Sequence, residues 1–164
     1  MKSLKFSLLF TALSLGLACG RADDAKPKFG LAADNKIFAQ TLVNDLMARY
    51  PHLVTAGIHA VPPGNEAQTI IASTLNVIGK KSDPEDVDVG AHGCTQLVPN
   101  VKLGKFGVML PLRDQAGRDV GALALAFKYR DGDDQVQLLA EATAIRNEVA
   151  PRIRALVDLF APVR

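Results

Sequence analysis

The spacing of apolar residues changes along the chain, and each change marks an element. Phe38, Leu42, Leu46 and Tyr50 recur every four residues, with Ile37, Val43 and Met47 widening the stripe. This predicts an amphipathic helix capped by Asp34 or Asn35 and stopped at Pro51. Residues 53–61 are β-branched and apolar and end at Pro62-Pro63-Gly64-Asn65, which predicts a strand followed by a turn. A second strand is expected over 68–75 and a third over 94–98. Between them, Ser82 or Asp83 can cap a short helix with Pro84 at its first position and acids in its first turn.

From 105 to 130 the period becomes two, as in a β-hairpin. Phe106, Val108, Leu110 and Leu112 form the apolar side of the first arm. The second arm places Leu123, Leu125, Phe127 and Tyr129 on one side and the smaller Val120, Ala122, Ala124 and Ala126 on the other, a face that would admit a helix lying close. Residues 114–118, with Gly117, suit the turn. Beyond it, Leu138, Ala142, Ile145 and Val149 share a helical face, and Pro151 predicts a kink or a new helix near Ala150. The pattern as a whole predicts an α+β fold, an antiparallel sheet of about five strands with an N-terminal helix, a short inter-strand helix and a C-terminal helix on one side of it.

The hairpin carries a family resemblance. Leu110-Pro111-Leu112-Arg113-Asp114, then Ala116-Gly117 and Val120-Gly121-Ala122-Leu123, resembles the terminal hairpin of single Cache domains, the extracytoplasmic PAS-like domains of bacterial sensors. The likeness extends more weakly over roughly residues 33–150. It implies a PAS/Cache-like sheet that binds a small molecule near the segment between the second and third strands, around 76–97. It transfers no ligand contacts. Amino-acid-binding double Cache domains use spaced tyrosine, arginine and tryptophan, whereas this chain has no Trp and only Tyr50 and Tyr129.

Composition narrows the class. Of 164 residues, 48% are hydrophobic and 22% charged, as in ordinary globular proteins, while only 5% are aromatic. Lys2 and Lys5, an apolar run over 6–18 and small residues up to Ala22 have the order of an export signal, and the run is short for a membrane span. The expected organisation is an export signal over 1–22, a linker over 23–32 and one domain over 33–164. Cleavage after Ala18, Gly20 or Ala22 gives a periplasmic or secreted protein; lipidation at Cys19 gives an anchored one, although Leu15 stands one place early for that pattern. Losing Lys2, Lys5 and Arg21 takes the formal charge from +2 to about −1, which removes the electrostatic case for nucleic-acid binding.

Chemistry-bearing residues are few. His59, Lys80, His92, Cys94 and Arg113 are the candidate ligand contacts: two imidazoles, a thiol, and two cations suited to an anionic group. His92 and Cys94 would point the same way on an extended chain, which makes them weak candidates for a metal or for a thiol activated by an imidazole. The ordinary alternatives are a loop histidine, a buried cysteine and solvated cations. Nucleophile-elbow, phosphate-loop and HExxH motifs are absent, so no enzyme activity is expected and no cofactor is specified. The leading reading is a small-molecule-binding sensory or accessory domain acting through a partner such as a membrane sensor or transport protein, with a homodimer through the first helix as the other expected association. Its rivals are a metal- or haem-binding protein using His92, Cys94 or His59, a thiol redox protein using Cys94, and an assembly protein that binds no small molecule.

Overall fold

A computed structural model describes residues 29–163; the export signal expected over 1–22 and most of the linker expected over 23–32 lie outside the described residues. The elements are α1 (Phe38–Arg49), β1 (Leu53–Ala60), β2 (Thr69–Ser73), α2 (Pro84–His92), β3 (Gln96–Asn100), β4 (Lys105–Arg113), β5 (Asp119–Lys128) and α3 (Gln135–Val149). The strands form one antiparallel sheet in the order β2-β1-β5-β4-β3, which confirms the α+β expectation. The long hairpin β4–β5 holds the middle of the sheet. Among the described residues no helix is long and apolar enough to cross a membrane.

The core follows the two-residue alternation of the hairpin. Phe106, Val108, Leu110 and Leu112 of β4 and Leu123, Leu125 and Phe127 of β5 point to one side, where α1 and α3 cover them. Leu42, Leu46 and Ile145 are fully buried there, each contributing roughly 1.5–3 kcal/mol through the removal of apolar surface from water. The stripe of α1 is thus used within the chain, as the periodicity predicted.

The helices do not all lie on one side. α2 packs on the opposite face, where Val89 meets Met109 and Ala122. The small residues foreseen on β5 are what permit this. A β-carbon at Gly90 of α2 would lie 3.3 Å from the carbonyl carbon of Gly121 and 2.8 Å from Gln68 Oε1, so helix and strand meet without side chains between them.

Several boundaries differ from expectation for identifiable reasons. α1 begins at Phe38 rather than after Asp34 or Asn35, and Ala32–Asp34 forms a short 3-10 turn instead. The Asn35 side chain donates to Ile71 O at 2.7 Å and to Gln40 Oε1 at 3.1 Å, which ties it to the sheet. The first α1 amide is satisfied from the far end of the chain, Phe38 N donating to Ala161 O at 2.8 Å, and Val163 N donates back to Lys36 O at 3.0 Å. β3 is shifted towards its C-terminus and includes Pro99, which an edge strand tolerates because one row of its backbone groups is unpaired. β2 is shorter than foreseen.

On β5, Val120 joins the main core instead of the small face, because the register slips between Leu112 and Arg113. Gly121 absorbs the irregularity at φ 147°, and a β-carbon there would sit 2.2 Å from His59 O. At the C-terminus, Asp134 caps α3 by accepting from the amides of Val136 and Gln137. Pro151 falls in a 3-10 turn, and a second 3-10 segment, Leu156–Phe160, carries buried Leu159 back to α1.

Candidate functional site

The two faces of the sheet are filled differently. α2 covers only part of the second face, and beside it the floor consists of Gly57 on β1, Gly107 on β4, and Ala124 and Ala126 on β5. Absent side chains leave an open depression of about 200 Å³, edged by Thr55 and His59. That volume lies below the range of pockets for drug-sized ligands, so it suits a small molecule.

His59 is the polar anchor of this floor. It lies on β1 opposite Ala122 and is 6% exposed. Its Nδ1 is 2.9 Å from Ser82 Oγ and 3.7 Å from a carboxylate oxygen of Asp86, which fixes one edge of the ring against the start of α2. No hydrogen bond is made by Nε2; since no fully buried side-chain nitrogen or oxygen among the described residues lacks a partner, Nε2 reaches the surface. Burial pushes the imidazole below its ordinary value of 6.5 and Lys80 adds to that, while Asp86 and Asp83 oppose it. The ring is therefore held neutral. Beside it, buried Gln68 donates to Asp86 O at 3.3 Å, and Ser82 N donates to Gln68 O at 3.0 Å, so the linker before α2 is fastened to the edge of the sheet.

The five residues singled out by sequence do not converge. Lys80 is exposed and pairs with Asp83 at 3.3 Å, near enough to His59 to influence its charge. His92 is the last residue of α2, exposed and 3.2 Å from Asp88. Gly93, at φ 70°, ends that helix and turns the chain, so His92 and Cys94 are not neighbours on an extended strand. Cys94 is exposed and free. Arg113 pairs with Asp119 at 3.1 Å near the same end of α2. Among the described residues no three His, Cys, Asp or Glu side chains are grouped to hold a metal ion.

Wider hollows exist among the described residues. One of about 650 Å³ lies between α1 and the end of β2, where Gln40 exchanges hydrogen bonds with Ser73 and also bonds Asn35 and Asn44. Its amides are committed to joining helix and sheet. Another, of about 810 Å³, is lined by charged groups at the start of α2, including Lys81, Asp83 and Asp88, and a third, of about 450 Å³, lies beside Val120 and Leu156, where the Asp114 carboxylate is committed to Ala116 and Arg118. The depression of the second face combines an apolar floor with a nearly buried imidazole whose Nε2 has no protein partner, the arrangement that favours a small organic ligand.

The floor residues Gly57 and Gly107 were not foreseen as a site. Their signal was present, since Gly107 alternates with apolar residues and faces the alanines of β5, but the small face was read as a seat for a helix. It is that seat over one half and open over the other.

Several solved structures resemble this fold. The GAF domain region of a Geobacter sulfurreducens PCA protein described as a membrane protein matches with a TM-score of 0.51 and 16% identity, over 72% of this chain and 91% of that one. A type II free methionine-R-sulfoxide reductase from Thermoplasma acidophilum matches with a TM-score of 0.51 and 14% identity, over 74% of this chain and 92% of that one. No known family profile matches the sequence, and no curated protein does. The fold is therefore GAF-like, and the assignment to Cache domains is corrected. The residues that suggested it are explained by the hairpin itself: Asp114 accepts from the amides of Ala116 and Arg118, Gly117 takes φ 78°, and Gly121 forms the irregularity. They report how a turn is built rather than which family built it.

Proposed function

We propose that this chain is an exported small-molecule-binding domain of regulatory or accessory type, whose ligand occupies the glycine- and alanine-floored depression of the second sheet face. The observation that carries this reading is the outward Nε2 of nearly buried His59 at the edge of an apolar floor. GAF-like architecture supports it by placing a short helix over only part of that face. A binding role fits better than catalysis, because His59 meets Ser82 and Asp86 through the same nitrogen and so cannot relay a proton between them. Export rests on Lys2, Lys5 and the apolar run that follows.

A ligand here would act by its difference in affinity between two arrangements of α2, the element that borders the depression, and a partner chain would read that difference. Native mass spectrometry of protein recovered from its own cells tests the binding role. The expected result is an added small-molecule mass that disappears on denaturation and is absent from an Ala124→Leu variant, which fills the floor. Retention of the same mass by that variant would remove the ligand from this face. Cell fractionation and N-terminal sequencing test export: a mature chain beginning after Ala18, Gly20 or Ala22, or at lipidated Cys19, is expected, whereas an intact Met1 in the cytoplasmic fraction would overturn it.

A further inference from the structure

The open end of the depression is marked by an unusual cross-strand pair. Lys105 begins β4, Lys128 ends β5, and the two stand directly opposite one another in the ladder. Phe106 and Tyr129, the next residues, are buried in the main core with ring centroids 5.4 Å apart, so alternation turns both lysines to the second face. Gly107 and Ala126 form the next rung of that face, about 7 Å along the strands. Two like charges directly opposite each other destabilise a sheet. Neither lysine forms an ion pair among the described residues; Lys128 Nζ reaches only Pro51 O at 3.5 Å, and Lys105 is half-buried.

The opposite end has the reverse character. Behind His59 stand Asp86 and Asp83, which would repel an anion despite the presence of Lys80. Asp86 is acceptor-only when ionised, so a proton on Nδ1 satisfies that side of the ring and leaves Nε2 as an acceptor. The His59 rung and the lysine rung are six residue steps apart along β5, about 20 Å, part of which the side chains themselves span.

Building on the ligand site proposed above, we infer that the depression takes a small amphiphilic carboxylate lying along the strands, with its acid group between Lys105 and Lys128, its apolar body on Gly57, Gly107 and Ala124, and a hydrogen-bond donor at His59 Nε2. The charge at one end and the acceptor at the other orient the ligand, and the floor without side chains favours a flat body. The acid relieves the repulsion between the two ammonium groups, so binding and sheet stability are coupled.

The test is calorimetric titration of the whole mature protein with a hydroxynaphthoate bearing its two groups at opposite ends of the ring system, compared with the matching hydroxynaphthamide and with plain naphthoate. Wild type should bind hydroxynaphthoate about tenfold more tightly than the amide, and more tightly than naphthoate. In the Lys105→Gln/Lys128→Gln variant the carboxylate and amide should bind equally, with amide affinity unchanged, and raised salt should mimic this loss in wild type. Ala124→Leu should weaken all three probes. An unchanged carboxylate preference in the lysine variant, with Ala124→Leu still blocking, would overturn the anion end and leave the site standing. Unchanged binding in Ala124→Leu would overturn the site and this inference together. Equal affinity for hydroxynaphthoate and naphthoate would remove the role of His59, and failure of wild type to bind hydroxynaphthoate would overturn the assignment of ligand class. Urea unfolding midpoints of each variant separate lost binding from lost folding.

Discussion

Phe127 and Ala126 are adjacent on one strand and face opposite ways, and the two sides of the sheet they serve follow different rules. The Phe127 side is filled by large side chains beneath two long helices and has a single solution. The Ala126 side is nearly bare, with one nine-residue helix over part of it and a depression over the rest. One face holds the fold together; the other is left partly open. The arrangement follows directly from strand geometry, which lets one ten-residue segment carry both compositions at once.

Substitutions can break that contrast. Phe127→Ala should have the largest effect, a loss of about 4 kcal/mol in urea unfolding, because it opens a cavity in a closed core. Gly121→Ala should follow at on the order of 3 kcal/mol, since its β-carbon would overlap the His59 backbone at a φ that L residues rarely adopt; a near-neutral result would mean that the irregularity can slide along β5. Gln40→Ala should lose about 2 kcal/mol by stranding the Ser73 amide and carbonyl that its side chain serves, again measured by denaturant midpoint.

The smallest effects sharpen the comparison on the second face. Because the pKa of His59 is lowered on folding, the unfolded chain binds a proton first as pH falls. Stability should be complete above about pH 6.5 and decline below it, until the folded imidazole also protonates. His59→Gln should remove this decline, seen as a flatter unfolding midpoint across the mildly acidic range. Ala126→Val should change stability by no more than about 0.5 kcal/mol, since it adds a side chain to open space. A large loss there would mean that the second face is packed after all.

The periodicity made the packed face legible. A stripe at four-residue spacing in α1 and strict alternation in β4 each have one physical interpretation; β4 buries the residues foreseen, and α1 buries Leu42 and Leu46 with Phe38 and Tyr50 packed half-buried against them. Val120 escaped because a bulge shifts side chains by one position, and only Gly121 hinted at it. The start of α1 escaped because Asn35 had a distant partner, Ile71, that no local rule contains. Of the candidate residues, His59 proved to border the depression, whereas His92, Cys94 and Arg113 gather at the exposed end of α2. Chemical reactivity drew attention to those three; the floor is defined by missing side chains, which a search for reactive groups passes over. The hairpin resemblance misled for a related reason, since turn chemistry recurs wherever the same turn is needed.

The bonds between Lys36, Phe38, Ala161 and Val163 close the described chain into a near-loop, with Ile37 and Pro162 bridged side by side. Ile37 and Pro162 therefore stand about 5 Å apart on the α1 side of the sheet, while the chain before Lys36 runs on to Gly30, which pairs with Ile78. A body of residues 36–163 can be spliced into a surface loop of another protein without prising that loop apart, or rewired by joining residues 36 and 163 and opening the turn at 115–117. In either arrangement the stem sits behind the sheet, and the bare face is presented to whatever passes in front of it.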